Sequence, residues 1–181
     1  MELRTERLIL RRWCPGDRES FARMNADAEV MRHMIRTLNR EESDALVERI
    51  EAHFDDHGFG LWAIEVVGAA PFIGFTGLSV PRFDAAFMPA VEIGWRLDTQ
   101  HWGKGYATEA ARASLVDGFG RVGLKEVVSF TIPANVRSLR VMERIGMTRD
   151  VDGDFEHPLV PEGHPARHHV LYRIGAGGDG R

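Results

Sequence analysis

The chain of 181 residues holds one cysteine, Cys14, which excludes an intrachain disulfide and a cysteine-cluster zinc site. It has no basic excess: 23 Lys and Arg stand against 27 Asp and Glu, a formal charge of −4. That balance argues against non-specific binding to nucleic-acid backbones, which needs a basic surface. No stretch approaches the roughly 20 apolar residues of a membrane span. The first residues, Met1 to Trp13, carry charges throughout and lack the apolar core of a secretory signal. A cytoplasmic protein without membrane or nucleic-acid partners is expected. The 19 glycines and 8 prolines follow no period, and no Pro-, Gly- or Ser-rich linker divides the chain. A single domain over 1–174 with a flexible tail at 175–181 follows.

What is present reads as alternating elements. Leu3 to Trp13 partly alternates apolar and charged residues, as in a first strand. Pro15-Gly16-Asp17 opens a helical stretch through Phe21 and Met24, and a second helix runs from about Arg40 to His57. Leu61–Val67 and Phe72–Val80 form a hairpin around Gly68 to Pro71. Val91–Leu97 is a central strand with Val91, Ile93, Trp95 and Leu97 on one face and Glu92, Gly94 and Arg96 on the other. Tyr106–Phe119 has a stripe of small and apolar residues and is the strongest helix. Strand Glu126–Ile132, helix Asn135–Ile145 stopped by Gly146, and strands Met147–Phe155 and His168–Ile174 complete the pattern. The order implies an α+β fold with a mixed sheet.

The segment between Leu97 and Tyr106 is built as an anion site. Gly103 and Gly105 let the backbone turn and approach a ligand. The first turn of the next helix then offers free N–H groups at the positive end of its dipole. A diphosphate is the natural guest. The segment lacks the Gly-Lys-Ser/Thr ending of a P-loop. A Gly-x-Gly-x-x-Gly pattern does occur at Gly118, Gly120 and Gly123, but it follows a helix and leads into a strand, the reverse of a dinucleotide site. Helix termination explains it better.

The pattern Gln100-x-x-Gly103-x-Gly105 between strand and helix resembles the pyrophosphate loop of the GNAT superfamily of N-acetyltransferases. Asn135-x-x-Ser138 with Glu143-x-x-Gly146-Met147 resembles a helix of its ribosomal-protein N-terminal acetyltransferase-like branch. The resemblance runs from Leu3 to about Ile174. It implies a mixed, mostly antiparallel central sheet flanked by helices, with two parallel strands, Val91–Leu97 and Glu126–Ile132, splayed around acetyl-CoA as cosubstrate. It implies that main-chain groups of Trp95, Arg96 and Leu97 pair with the pantetheine arm. Gln100, Trp102, Gly103, Lys104, Gly105, Tyr106 and Ala107 would surround the diphosphate. Asn135 would cap its helix and bond pantetheine. Arg140 or Arg144 would either meet a CoA phosphate or face solvent. Gly94 fits either a bulge beside the thioester or a plain packing glycine.

Transfer to an amine needs a proton acceptor, and Glu92 is the candidate. The alternative is a solvated glutamate paired with Arg96. Many members of the superfamily place a tyrosine where the leaving thiolate needs an acid. Here Tyr106 and Tyr172 lie elsewhere, and Ser138 occupies that position. No metal is expected. Asp150, Asp152 and Asp154 fail the calcium-loop spacing, and His164, His168 and His169 lack a helical ligand spacing. Asp152, Asp154, Glu156 and His157 either border the acceptor cleft or form a solvated loop. Trp62, Phe75, Phe83 and Phe87 either floor it or pack in the core. The acceptor implied is a peptide or protein N-terminal α-amine. A small amine or antibiotic, a CoA-binding sensor without transfer, and a dinucleotide oxidoreductase remain as alternatives, and the protein is a monomer or homodimer.

Overall fold

In the computed structural model, which describes residues 1–177, the stretch Leu3–Trp13 is two strands, β1 (Glu2–Arg4) and β2 (Leu8–Arg11), paired antiparallel with Leu3 opposite Leu10. The chain reverses at Thr5. Its N–H donates to the Leu8 carbonyl at 3.0 Å, and its hydroxyl accepts from the Leu8 N–H at 2.9 Å. A side chain that supplies a local hydrogen bond makes this turn without Gly, Pro or Asn.

Helix α1 (Asp17–Ala26) follows, then α2 (Arg40–His57). Asn39 and Glu42 form a reciprocal capping box at the start of α2, and Gly58 ends it. Strands β3 (Leu61–Val66) and β4 (Ala70–Ser79) make the expected hairpin and lead to β5 (Glu92–Leu97). Helix α3 spans Tyr106–Asp117, β6 Glu126–Thr131, α4 Val136–Arg144, β7 Thr148–Glu156 and β8 His168–Gly175. One eight-stranded sheet has the order β1-β2-β3-β4-β5-β6-β8-β7. Every neighbouring pair is antiparallel except β5 and β6. The fold is α+β, a mixed and mostly antiparallel sheet flanked by four helices, as the GNAT resemblance implies.

Side-chain alternation on β5 sorts the helices. Ile93 packs in a buried cluster with Ala111 and Leu115 of α3, and Leu97 in one with Ala110. Arg96, pointing the other way, reaches Asn25 of α1. Helices α1 and α3 therefore cover opposite faces of β5.

Gly118 to Gly123 do end a helix. A π turn over Gly118–Val122 continues α3, and Gly123 closes it at φ 77°. The tail boundary shifts: Gly175 belongs to β8, and the Ala176 N–H donates to the Lys125 carbonyl at 2.9 Å. The end of the tail, 178–181, lies outside the described residues. Among the described residues no helix is long and apolar enough to cross a membrane.

Candidate functional site

The parallel strands β5 and β6 meet at one register pair, Glu92 with Val128. The Val128 N–H donates to the Val91 carbonyl and the Ser129 hydroxyl to the Ile93 carbonyl, each at 2.9 Å. Past that point β6 pairs only with β8, and the strands diverge. Main-chain groups alternate edges along a strand. With the Val91 and Ile93 carbonyls facing β6, those of Trp95 and Leu97 face the gap. Arg96 does not share this edge. Its carbonyl oxygen would stand 2.1 Å from a Cβ placed on Gly74 of β4, so it faces β4. The Leu97 carbonyl is itself occupied, accepting from the Trp102 indole N–H at 2.8 Å.

The register of β5 against β4 runs unbroken from Gly74–Leu97 to Ser79–Glu92, so Gly94 carries no bulge. A Cβ there would meet nothing closer than 3.9 Å. The glycine that close approach demands at this corner is Gly74, at φ 138° with the Arg96 carbonyl against it. A one-strand reading cannot show this, because the demand comes from the neighbouring strand.

Beyond β5 a short 3-10 turn, Thr99–His101, leads into the loop at the mouth of the gap. Gly103 and Gly105 hold φ of 73° and 81°, and Gly105 is the N-cap of α3 without any side-chain cap. The first-turn N–H groups of α3 are left for a ligand. The loop is latched from behind by the β1–β2 turn. Arg7 donates to the Lys104 carbonyl at 3.0 Å and to Glu109 of α3 at 2.7 Å, and its guanidinium lies 4.8 Å from the centre of the Tyr106 ring. The Thr5 hydroxyl donates to the same glutamate at 2.6 Å. Arg7 thus neutralises Glu109, the acid in the first turn of α3, beside the positive end of the helix dipole.

On the far wall Asn135 caps α4. Its Oδ1 accepts from the Ser138 N–H at 3.3 Å and its Nδ2 donates to Thr131 of β6 at 3.0 Å. This fixes the start of α4 to the splayed strand and aims Ser138 into the cleft.

These walls enclose a cleft of about 430 Å³. Of the residues expected there, Trp95, Arg96, Leu97, Trp102, Gly103, Gly105, Tyr106, Ala107, Asn135, Ser138 and Arg140 line it. Gln100 does not: its exposed side chain sits on the 3-10 turn, and its N–H is bonded to Asp98 at 3.0 Å. Lys104 contributes only the carbonyl held by Arg7. Arg96 enters by its side chain. Arg144, read as exterior, lines the cleft too, as do Arg137 and the α1–α2 loop through Glu29, Arg32 and Met34. Arg137 carries no motif, yet its guanidinium lies 4.2 Å above the Trp102 ring and 3.5 Å from Glu29. The α1–α2 loop has no periodicity to reveal its role; it enters only because α1 folds over β5.

Glu92 lies outside that lining, on the face of β5 that bears Gly94 and Arg96. It keeps some solvent contact, and among the described residues its carboxyl has no hydrogen-bond or ion-pair partner. Burial without compensation pushes it up to about 8. The alternative pairing with Arg96 is not formed: four residues along a strand separate them by about 13 Å.

Arg96 instead donates to Asn25 Oδ1 at 2.7 Å and to Met34 Sδ at 3.2 Å, over the face of Phe75. Asn25 is fully buried and donates onward to the Ser43 hydroxyl at 2.9 Å. Burial pulls the guanidinium down to about 10.

The acidic stretch does not border the cleft. Asp150 pairs with Arg173 at 2.6 Å, and Asp154 pairs with Arg149 while accepting the Leu171 N–H across an irregular stretch of the β7–β8 ladder. Glu156 is shared by Arg167 and His168. Trp62 and Phe75 are core residues. Phe83 and Phe87 pack with Phe130, Phe155 and His157, away from the cleft lining. Among the described residues no group of three or more His, Cys, Asp or Glu side chains is placed to hold a metal ion.

Comparison with known proteins agrees with this geometry. The family description "Acetyltransferase (GNAT) domain" matches residues 7–148. An uncharacterized Bacillus subtilis protein, YkkB, is 31% identical over 149 residues, 81% of this chain and 84% of its own length. An Aspergillus fumigatus protein named FsC-acetyl coenzyme A-N(2)-transacetylase is 30% identical over 153 residues, 81% of this chain and 64% of its own. The crystal structure of a GNAT-family acetyltransferase from Bacillus anthracis superimposes with a TM-score of 0.79 at 26% identity, covering 97% of this chain and 99% of the other.

Proposed function

The chain belongs to the GNAT acetyltransferase family, and from that premise we propose that it transfers an acetyl group from acetyl-CoA to a primary amine through Glu92 and Ser138. The observation that carries the reading is the mouth of the β5–β6 gap, where Gly103 and Gly105 hold positive φ ahead of an uncapped helix turn. Acetyl-CoA, when bound, supplies the acetyl group as an activated thioester.

The N–H groups of the Gly103–Ala107 segment bind its diphosphate, with Arg140 and Arg144 at the outer rim. The Trp95 main chain and the Leu97 N–H pair with the pantetheine arm as an added strand would, and Asn135 and Trp102 close over it. Asn135 can serve there while capping α4, because an amide nitrogen carries two protons.

The acceptor enters from the opposite face, beneath the α1–α2 loop. Its ammonium must lose a proton before the nitrogen can attack. Glu92, raised to about 8, is close in strength to what an amine at neutral pH requires, and it takes that proton through water. The Ser138 hydroxyl, which has no protein partner among the described residues, is placed to donate to the departing sulfur. The Asn135–Gly146 helix is the feature shared with the ribosomal-protein branch, and it favours a peptide or protein α-amine as acceptor. The similarity to a protein named an acetyl coenzyme A-N(2)-transacetylase supports acetyl transfer to nitrogen.

Calorimetry with CoA, and thiol release with acetyl-CoA and an amine panel, test the reading. Wild type should take up CoA. Gly105→Val should lose that uptake, because a β-branched residue is strained at φ 81° and would move the loop's N–H groups. CoA affinity unchanged in the variant, or absent in wild type, would overturn it.

A further inference from the structure

A guanidinium that loses water needs a carboxylate or phosphate, or it remains an uncompensated charge. Arg96 has neither among the described residues. Its partners are an amide oxygen, a thioether sulfur and an aromatic face, none of which carries charge. The one carboxylate lining the cleft, Glu29, is committed to Arg32 and Arg137. Glu92 is too far along the strand and is largely protonated at neutral pH. The two named bonds use two of the five guanidinium protons, while the side chain lines the cleft.

The anion this charge awaits is not the CoA diphosphate. That group belongs at the N-terminus of α3, on the other face of β5. Arg96 sits on the α1 face with Glu92, where the amine must come. Its geometry is also fixed in advance. Asn25 is locked by Ser43 on α2, and the Asn25 carbonyl accepts from the Leu38 N–H at 2.9 Å, so α1, α2 and their loop together hold the guanidinium. A cationic acceptor such as a polyamine would meet net positive charge here, and Asp150, Asp154 and Glu156 are paired with Arg173, Arg149 and Arg167.

We infer that the acceptor is an amine that itself carries an anionic group, a carboxylate or phosphate a few bonds from the nitrogen, and that Arg96 is the residue that selects it. The inference rests on the acetyl-transfer reading and narrows its substrate class. The anion can come from a free amino acid or from a peptide with an acidic side chain beside its α-amine. The chemistry at Arg96 is the same.

The test compares thiol release for matched acceptors: an amino acid, its carboxamide, its decarboxylated amine, an aminoalkyl phosphate, and peptides with acidic or neutral side chains after the α-amine. Anionic acceptors should exceed neutral isosteres by about tenfold or more in kcat/KM, chiefly through KM, as for a charge-assisted bidentate pair. Arg96→Met should level that difference, and Arg96→Lys should keep part of it. Whether free amino acids or acidic peptides lead identifies the source of the anion.

If Arg96→Met does not fold, the wild-type panel alone decides. Equal rates on acid and amide, or preference for the decarboxylated amine, with CoA bound normally, would overturn the Arg96 assignment and leave acetyl transfer standing. Failure of wild type to bind CoA would overturn both.

Discussion

Arg11 on β2 and Arg96 on β5 are both largely withdrawn from water, and the chain treats them in opposite ways. Arg11 makes two parallel bonds of 2.8 Å to Asp17, a third to Glu65 at 3.2 Å and a fourth to the Pro71 carbonyl. Asp17 is 2% exposed and also accepts the Cys14 N–H, and the guanidinium is raised. Arg96 has neutral partners only and is lowered. The same contrast divides the molecule. In the β1–β4 half, with α1 and α2, Arg12 meets Glu51 and Asp55 and even His53 uses both ring nitrogens, on the Phe59 carbonyl and the Val80 N–H. Around the β5–β6 gap, Glu92, Arg96 and the Ser138 hydroxyl lack charge partners or any partner among the described residues. Charges satisfied within the chain hold the fold; those left unmet are the groups proposed above to meet ligands.

Breaking the satisfied side should give the largest loss. Asp17→Ala strands Arg11 and should cost about 3–5 kcal/mol in urea unfolding. A loss below about 1 kcal/mol would mean Glu65 alone suffices and the contrast is false.

On the unmet side, Glu92→Gln should lower kcat about a hundredfold and abolish the rise in rate as pH passes about 8. Its stability should move the other way. A carboxyl raised from 4.5 to about 8 binds protons more tightly when folded, so its contribution is complete below about pH 4.5 and lost as pH rises through 8. The glutamine variant should therefore melt above wild type at about pH 9 and near it at about pH 4. A lower melting temperature throughout would make Glu92 a structural residue.

Ser138→Ala sharpens the contrast more gently. Turnover should fall about tenfold, more than CoA affinity does, as expected for one lost hydrogen bond to the leaving sulfur. Equal loss in both would make it a binding group only.

The smallest effect is acid-dependent. His53, His157 and His169 are lowered by burial. A depressed histidine contributes stability that is complete above its unfolded value near 6.5 and is lost as pH falls toward the folded one. In the Glu92→Gln background, where the carboxyl cannot mask it, the melting temperature should drop between about pH 7 and 5. His53 should account for part of the drop, since its protonation breaks the Val80 bond. A flat profile would show that these rings open freely to water.

Much of this architecture is local in origin and legible in the residues. The Arg40–His57 helix matches α2, the small-residue stripe identifies α3, and Gly103, Gly105 and Asn135 mark their turns because each answers to its own φ or its own helix end. The Leu3–Trp13 reversal was hidden because a threonine hydroxyl, not a turn residue, makes it. Of the two readings of Gly94 the structure supports the plain packing glycine, because the tight approach is a cross-strand matter, felt at Gly74. Arg137 and the α1–α2 loop gave no signal, having no spacing to detect.

From its linear order alone, then, the chain determined most of its elements, the glycine loop before α3 and the capped start of α4, since all depend on neighbours a few residues away. Which charges find partners was decided only in three dimensions. Asp17 came to Arg11 and, among the described residues, no carboxylate came to Arg96, because ion pairing depends on distances of a few ångströms that only packed strands and helices set.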